Sequence, residues 1–247
     1  TVGEADIISG SIKKKLYSTF GLIGKLRAIK DQQEVGLIKK AAAIAKKAYK
    51  SIKRELKEGK RETDIAGKID FLVKKLGADR PSFETIVASG ANASMPHAKP
   101  TAKRIKNSEA IIVDFGARLK GYNSDLTRTS FVGKIDKHFK LIYSIISIAQ
   151  SKAINKIRPG VKISEIDKAA RSYIVKKGFG KYFTHALGHC IGIDVHELPS
   201  INSKNHSVLK EGMVFSVEPG IYIPGSGGVR IEDMILVTAK GHEVLTI

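Results

Sequence analysis

The sequence predicts an α+β fold in which two similar halves pack around a central cleft. Two observations lead to this prediction. Each half begins with two amphipathic helical segments and continues into short strand-like segments rich in Val, Ile and Gly. The halves also align on each other without gaps when the chain is shifted by 101 residues. A cleft is expected where the halves meet, and clefts are the usual place for a binding site.

The first half contains two predicted helices followed by a strand. Residues 31–58 form an amphipathic pattern, with apolar residues on one face and lysines opposite, and Asp31 is the expected N-cap. A second helix is predicted over 63–76. A strand over 84–89 then leads into a loop that carries His97.

Residues 109–131 are predicted to form a hairpin that places two aspartates on neighbouring strands. Asp114 ends a nearly apolar run, and Asp125 follows on the returning strand after a bend near Lys120 and Gly121. A carboxylate at the end of a buried strand is costly unless a metal ion or another partner compensates it. The alternative is that the first aspartate caps a turn and the second lies on the surface.

The helical pattern then begins again. Helices are predicted over 137–157 and 164–177, and strand-like segments follow to the end of the chain. The alternative to a true repeat is that any two capped amphipathic helices resemble each other. The pairs that coincide under the shift of 101 residues include Gly59 and Gly160, Thr63 and Ser164, Ile65 and Ile166, Val73 and Ile174, and Gly77 and Gly178.

The composition narrows the class of protein. No apolar run is long enough to cross a membrane, so a membrane partner is not expected. The single cysteine, Cys190, excludes an internal disulfide and favours a cytoplasmic location. The net charge of +19 allows a nucleic-acid partner, but the lysines are dispersed along helices, so a solvated surface is the favoured interpretation.

Residues 1–27 are interpreted as a linker or as the tail of a preceding domain, with the main domain over 28–247. An amphipathic helix is expected over 8–20, ended by Gly21 and Gly24.

Five polar residues of the second half are further candidates for a functional site. His185, His189 and His196 lie four and then seven residues apart, flanked by glycines. A lone histidine is more often a core residue than a ligand, but three of the chain's seven lie within twelve residues. Glu218 ends a strand-like run, and Glu232 lies in an apolar strand context.

The order of these motifs resembles that of the "pita-bread" metallopeptidases, the family of methionine aminopeptidases, aminopeptidase P and prolidases. The resemblance covers about residues 25–247. It implies a fold of two pseudo-symmetric helix–helix–antiparallel-strand halves around a central cleft, in agreement with the internal repeat. The motifs that carry it are, in order, DFG, SDLTRT, GHCIG, VHE, EPG and VRIED.

The resemblance implies a dinuclear metal site and hydrolytic chemistry. In that family the second Asp and the last Glu of the motifs bridge both ions. Asp125 and Glu232 match them and are therefore expected to bridge here. Four carboxylates and a neutral histidine sum to a charge of −4, which two divalent cations neutralise. Mn²⁺, Co²⁺ and Zn²⁺ all suit such ligands, and the sequence does not choose among them. The residues that match the ligands are Asp114, Asp125, His189, Glu218 and Glu232.

The same resemblance assigns catalytic roles. Glu218 matches the residue that takes a proton from the attacking water and passes it to the leaving nitrogen. His97 and His196 match histidines that position substrate and stabilise the tetrahedral intermediate. The alternative for His97 is a solvated loop residue.

Arg230 and His185 resemble residues of the proline-specific branch, so the predicted reaction is hydrolysis of the bond that precedes proline. Arg230 either binds the free carboxylate of a dipeptide or pairs with a metal-ligating carboxylate and holds it in place. Dipeptides and longer peptides remain equally open as substrates. Methionine aminopeptidase activity is the alternative within the family.

A non-catalytic protein- or nucleic-acid-binding module on the same fold is the alternative of another class. Such relatives, like the metal-free creatinase-type hydrolases, lack the ligand set, which is complete here. Proline-specific enzymes usually carry a further N-terminal domain that helps to form the dimer, so a homodimer is an assembly that the resemblance allows.

Overall fold

The computed structural model describes residues 2–12 and 21–247. The α-helices are α1 (Val2–Ile12), α2 (Leu22–Ala28), α3 (Gln32–Ile52), α4 (Glu62–Lys75), α5 (Lys137–Ile154) and α6 (Ile163–Lys176). The strands are β1 (Arg80–Pro81), β2 (Ile86–Ser89), β3 (Ala110–Phe115), β4 (Ala117–Leu119), β5 (Tyr122–Asn123), β6 (Leu126–Phe131), β7 (Gly188–Cys190), β8 (Glu197–Ile201), β9 (Val214–Val217), β10 (Gly220–Ile223), β11 (Gly227–Arg230), β12 (Asp233–Thr238) and β13 (Gly241–Val244).

In the first half, α3 and α4 pack their apolar faces against short antiparallel strands. The strands form two three-stranded sheets, in the orders β2-β3-β6 and β1-β4-β5. One hydrophobic core joins residues of both helices to β2, β3 and β6. The helices therefore cover one side of the sheet and leave its other side to face the second half.

The predicted hairpin is confirmed. Lys120 and Gly121 form its bend with φ values of 47° and 87°, the left-handed pair that a two-residue hairpin turn requires. Asp114 pairs with Thr127 across β3 and β6, and Asp125 lies one residue before β6 begins. Both aspartates are buried, at 8% and 5% exposure, so the interpretation of Asp125 as a surface residue is wrong.

The second half repeats this arrangement with a larger sheet. Five antiparallel strands lie in the order β13-β12-β9-β7-β8, and β10 and β11 form a separate hairpin. Helices α5 and α6 pack against each other, and their apolar residues share a core with β7, β9 and β12.

The internal repeat is visible in the matching helices. Both α4 and α6 contain 14 residues. Their first residues, 62 and 163, and their last residues, 75 and 176, each differ by 101. The glycines that follow them, Gly77 and Gly178, both adopt positive φ, at 100° and 86°. The chain therefore leaves both helices through the same left-handed turn.

The helix predicted over 31–58 starts as expected and ends earlier. Asp31 accepts a hydrogen bond from the backbone of Glu34, whose side chain accepts one in return, and this capping box defines the start. The helix stops at Ile52 and gives way to a tighter turn over Lys53–Glu55. Leu56 beyond the turn is buried in the core, so tertiary packing overrides the helical pattern there.

Two helices, α1 and α2, are described in the N-terminal segment, one on either side of residues 13–20. The helix predicted over 8–20 is described only as far as Ile12, where α1 ends, and residues 13–20 lie outside the described residues. Gly24, expected to end a helix, lies inside α2 and faces the side chain of Leu198. Helix α2 packs against β8 of the second half. None of the described helices combines the length and apolar character needed to span a membrane.

Candidate metal centre and active site

A cavity of about 500 Å³ lies where the two halves meet. Its wall combines residues of the loop before β3, the ends of β3 and β9, and the segments around β7 and β12. All nine residues that the sequence predicts for the site line this cavity: His97, Asp114, Asp125, His185, His189, His196, Glu218, Arg230 and Glu232.

Strand geometry explains how the second half positions its candidate ligands. His189 lies in β7, which runs so close to β9 that a Cβ atom on the preceding Gly188 would fall 1.9 Å from the carbonyl oxygen of Ser216. Only glycine allows that approach. Glu218 directly follows β9, and Glu232 sits between β11 and β12, where its backbone N–H donates to the carbonyl of Thr127 across 3.1 Å.

The acidic residues and His189 form a compact donor set. One ligand atom from each of Asp125, His189 and Glu232 lies within 4.8 Å of the others. The Nε2 atom of His189 is also 3.3 Å from Oε1 of Glu218 and 3.8 Å from Oδ2 of Asp125. Oxygen and imidazole donors at this spacing suit a divalent transition-metal ion.

Unsatisfied oxygen atoms support the same interpretation. Asp114 Oδ1, Asp125 Oδ1 and Glu232 Oε1 are buried and have no hydrogen-bond partner among the described residues. A buried carboxylate oxygen without a partner is costly, and a bound cation removes that cost. The residues present therefore fit a cationic cofactor.

The pKa values of the cluster follow from burial and crowding of like charges. Burial and the neighbouring Glu218 and Asp114 raise the pKa of Glu232 to about 8, and burial with the charge of Glu232 raises the pKa of Asp125 well above its usual range. Burial would lower the pKa of His189, but its hydrogen bond to Glu218 raises it to about 9. Without cations, the cluster must therefore take up protons to balance its charge.

The guanidinium group of Arg230 hydrogen-bonds to other groups of the same chain. The residue is only 3% exposed. Its Nη2 donates to Oδ2 of Asp114 at 2.6 Å, and its Nε donates to the hydroxyl of Thr127 at 3.2 Å. Its Nη1 donates to the carbonyl of Pro96 at 3.0 Å and to the hydroxyl of Tyr222 at 2.8 Å. The geometry favours the interpretation in which Arg230 holds a candidate ligand carboxylate, that of Asp114, in place.

Tyr222 connects Arg230 to His185. Nδ1 of His185 lies 2.7 Å from the carbonyl oxygen of Ala186, which can only accept, so this nitrogen carries the proton. Its Nε2, 3.0 Å from the Tyr222 hydroxyl, then accepts. Burial lowers the pKa of His185 and favours this neutral form. His185 is therefore held in one tautomer with both nitrogen atoms engaged.

The other two histidines lie at the rim of the cavity. The His196 ring centroid is 4.2 Å from that of His189, and burial followed by the charge of His189 lowers the pKa of His196. His97 is exposed on the loop that forms one wall. Their catalytic roles stay predictions.

Three residues that hydrogen-bond to the predicted site residues were not predicted from the sequence: Thr127, Ser216 and Tyr222. Thr127 donates to Oε2 of Glu232 at 2.7 Å, and Ser216 donates to Oε1 of Glu218 at 3.0 Å. Thr127 lies two positions after Asp125 and Ser216 two before Glu218, so strand alternation puts each on the same face as its neighbouring ligand. Tyr222 carries no comparable local signal.

The model of metallopeptidase family M24 matches residues 36–239. This chain belongs to metallopeptidase family M24. The predicted resemblance is thereby confirmed, and its order of motifs was the decisive signal in the sequence.

Relatives of this M24 chain include proline-specific enzymes. An Xaa-Pro dipeptidase of Pyrococcus horikoshii is 45% identical over 233 residues, which make up 94% of this chain and 66% of that protein. The prolidase structure of Pyrococcus furiosus matches with a TM-score of 0.92 at 44% identity, over 94% of this chain and 68% of that one. An X-Pro aminopeptidase structure of Thermotoga maritima matches with a TM-score of 0.93 at 35% identity, over 100% of this chain and 70% of that one.

These matches confirm the pita-bread fold of two halves. The M24 chain spans about two thirds of the length of the curated relatives that it matches.

Proposed function

We propose that this M24 chain is the catalytic part of a metal-dependent peptidase that cleaves the bond preceding proline. One observation carries the proposal: five ligand-type residues converge in the cleft, and three of their buried oxygen atoms lack partners among the described residues. The printed names of the relatives, Xaa-Pro dipeptidase and X-Pro aminopeptidase, support proline specificity. Residues 28–247 are proposed as the catalytic domain.

The proposed cofactor is a pair of divalent cations, Mn²⁺, Co²⁺ or Zn²⁺. Asp125 and Glu232 would bridge them, Asp114 would hold one, and His189 with Glu218 would hold the other. When bound, such ions supply Lewis-acid activation of water and of the scissile carbonyl. Arg230 and Thr127 orient two of the carboxylates that would hold them.

Glu218, one of the proposed ligands, transfers the proton, and the neighbouring side chains orient it and hold the substrate. Glu218 takes the proton of the attacking water and passes it to the leaving nitrogen, which in a proline bond carries no hydrogen of its own. Ser216 fixes one Glu218 oxygen through its hydroxyl. His97 and His196, at the rim, stabilise the tetrahedral intermediate and hold the substrate chain, while His185 lies at the proline side.

Prolidases cleave dipeptides, in which the proline ends in a free carboxylate. Aminopeptidase P cleaves longer peptides, in which the proline carbonyl is joined to a further residue. Because four donor contacts of Arg230 already meet protein groups, the geometry does not favour this residue as a dedicated site for the carboxylate of a dipeptide. We propose Xaa-Pro peptides of both lengths as the substrate class.

Metal analysis combined with a peptide panel tests the proposal. The purified chain is expected to bind two divalent ions and to hydrolyse Ala-Pro or a longer Xaa-Pro peptide, but not Met-Ala. Asp125→Ala and Glu232→Ala should each lose both ions, because each residue is proposed to bridge. Preferential cleavage of Met-Ala would instead establish the methionine aminopeptidase alternative. A protein that binds no divalent ion and turns over no peptide would instead favour the binding-module alternative.

One feature of the chain bears on the cellular location of the enzyme. Cys190 is a buried free thiol, which suits the cytoplasm, and this is the proposed location. A proline-containing peptide is the proposed partner, and a homodimer is the assembly to test by analytical ultracentrifugation.

A further inference from the structure

Glu62 is a buried acidic residue that the mechanism above does not use. It begins α4 and is 0% exposed. Its Oε1 accepts hydrogen bonds from the backbone N–H and the hydroxyl of Ser89, at 2.7 and 2.8 Å. Its Oε2 accepts from the backbone N–H and the hydroxyl of Thr101, at 3.1 and 2.7 Å, and the amide of Asn92 donates to both oxygens.

These partners lie at the two ends of one loop. Ser89 ends β2, and Thr101 lies twelve residues further along. The loop between them carries Pro96, whose carbonyl accepts from Arg230, and His97. The His97 side chain is exposed at the cleft, so little packing around it can hold it. Its position therefore depends on the path of the loop backbone. Glu62 joins the loop ends through a single carboxyl group.

Helix packing alone does not require an acid at this position. The equivalent residue under the repeat of 101 positions is Ile163, which is also 0% exposed and begins α6. The second half therefore builds the same helix start with an apolar side chain. Burying an acid is costly unless its oxygens are hydrogen-bonded, and all five of the donor groups that contact Glu62 are neutral.

We infer that Glu62 is a positioning residue that closes the loop of residues 90–100 and so places His97 against the substrate. The effect on catalysis rests on the proposed function. The effect on the loop rests on the contacts that Glu62 makes with Ser89 and Thr101. The opposite side of the loop meets β11, where the Ala93 carbonyl oxygen would be 2.3 Å from a Cβ atom on Gly228. The loop is thus held between α4 and β11.

The variant Glu62→Gln tests the inference because it keeps the shape of the side chain but replaces one acceptor oxygen with an NH₂ donor. That group would face donors of Ser89 or Thr101. We expect kcat for an Xaa-Pro peptide to fall by about 10- to 100-fold, the scale of misplacing a catalytic group by about 1 Å. Metal content should stay near that of the unmodified chain, and any rise in KM should not exceed that of His97→Ala. Glu62→Asp, which retains both acceptors, should recover part of the loss.

A double-mutant cycle with His97→Ala separates positioning from general destabilisation. If Glu62 acts through His97, Glu62→Gln should change kcat less than twofold once His97 is already alanine. An undiminished loss in the His97→Ala background would overturn the inference. The matched control is Val73→Ala, a cavity variant in the buried face of the same helix, which should lower the melting temperature without a comparable fall in kcat.

Amide hydrogen exchange gives a readout that needs no activity. Glu62→Gln should accelerate exchange in residues 90–101 at least tenfold relative to Val73→Ala. Unchanged exchange there would overturn the inference even if the chain cleaves proline peptides. Accelerated exchange in a chain without peptidase activity would support the role of Glu62 in holding the loop while refuting the proposed function, so the two failures are distinguishable.

Discussion

Arg230 and Asp114 form a buried ion pair in which Nη2 lies 2.6 Å from Oδ2. The residues are 116 positions apart and come from different halves. Burial raises the pKa of Asp114, and the charge of Arg230 opposes that rise without cancelling it. Burial would lower the pKa of Arg230, but the charges of Tyr222 and Asp114 hold it above its usual value. The pair therefore connects the halves at the candidate metal centre and leaves Oδ1 of Asp114 without a hydrogen-bond partner among the described residues.

We expect Arg230→Lys to lower kcat for Ala-Pro and for a longer Xaa-Pro peptide by equal factors, of about 10²-fold. Lysine keeps the charge but cannot reach Asp114, Thr127 and Tyr222 at the same time. Breaking a buried pair of this kind costs about 3–5 kcal/mol, and metal content should fall in parallel. Steady-state kinetics on both substrates, with metal analysis, measure the effect. A selective rise in KM for the dipeptide would show instead that Arg230 binds its carboxylate.

Thr127→Val should weaken metal binding by about 10- to 100-fold, the usual effect of removing a hydrogen bond that orients a ligand. Valine matches the shape of threonine but leaves Oε2 of Glu232 and Nε of Arg230 without the hydroxyl. Calorimetric titration with Mn²⁺ gives the affinity. Ser130→Ala is the control, because this residue of the same strand contacts Tyr49 at 2.9 Å instead. Equal affinities for the two variants would contradict the assigned role of Thr127.

The N-terminal segment is expected to support the cleft through Lys30. This lysine lies just after α2, is buried, and contacts Glu197 at 3.0 Å, while Arg27 of α2 contacts the same carboxylate. Glu197 directly follows His196. Lys30→Met leaves Glu197 paired with Arg27 alone, so it should destabilise the fold by about 1.5–3 kcal/mol, the worth of a hydrogen bond to a charged group, and lower kcat.

Chemical denaturation and steady-state kinetics measure these effects. The control is Lys39→Met, which removes an exposed pair with Glu243 and should cost about 1 kcal/mol or less. If both variants were equally stable and active, the segment before residue 31 would have no part in holding His196.

Metal-free protein should lose stability as the pH rises from about 5 to 8. Glu232 has its pKa raised from 4.5 to about 8 in the fold, so the folded state binds more protons than the unfolded state across that interval. The slope of unfolding free energy against pH is then negative. His189, raised from 6.5 to about 9, adds a loss of the same sign above pH 6.5.

Thermal unfolding at several pH values, after treatment with a chelator, measures this dependence. Saturating Mn²⁺ should abolish the decline, because a bound cation favours the ionised carboxylates. Glu232→Gln should flatten it without metal. A melting temperature that rises between pH 5 and 8 in the chelated protein would contradict the assignment.

Local sequence determined most of the helices and turns of this protein and the family to which it belongs. The periodicity and caps of the helices depend on residues within a few positions of one another, which is why α4 and α6 agree with the predicted ranges to within one residue. The hairpin bend was predicted from Lys120 and Gly121, and the order of ligand motifs was sufficient to select the family. Strand alternation around Asp125 and Glu218 also contained the signal for Thr127 and Ser216.

Tertiary structure alone decided how the polar side chains share their partners. Arg230 could bind a substrate or a ligand, and its choice of Asp114 depends on the approach of two strands from different halves. Arg27 and Glu197 are 170 positions apart, and Glu62 and Thr101 are 39 apart, with no periodic pattern that joins them. Such contacts form only after the apolar faces of helices and sheets have packed, because packing then determines which donors and acceptors are excluded from water and must pair.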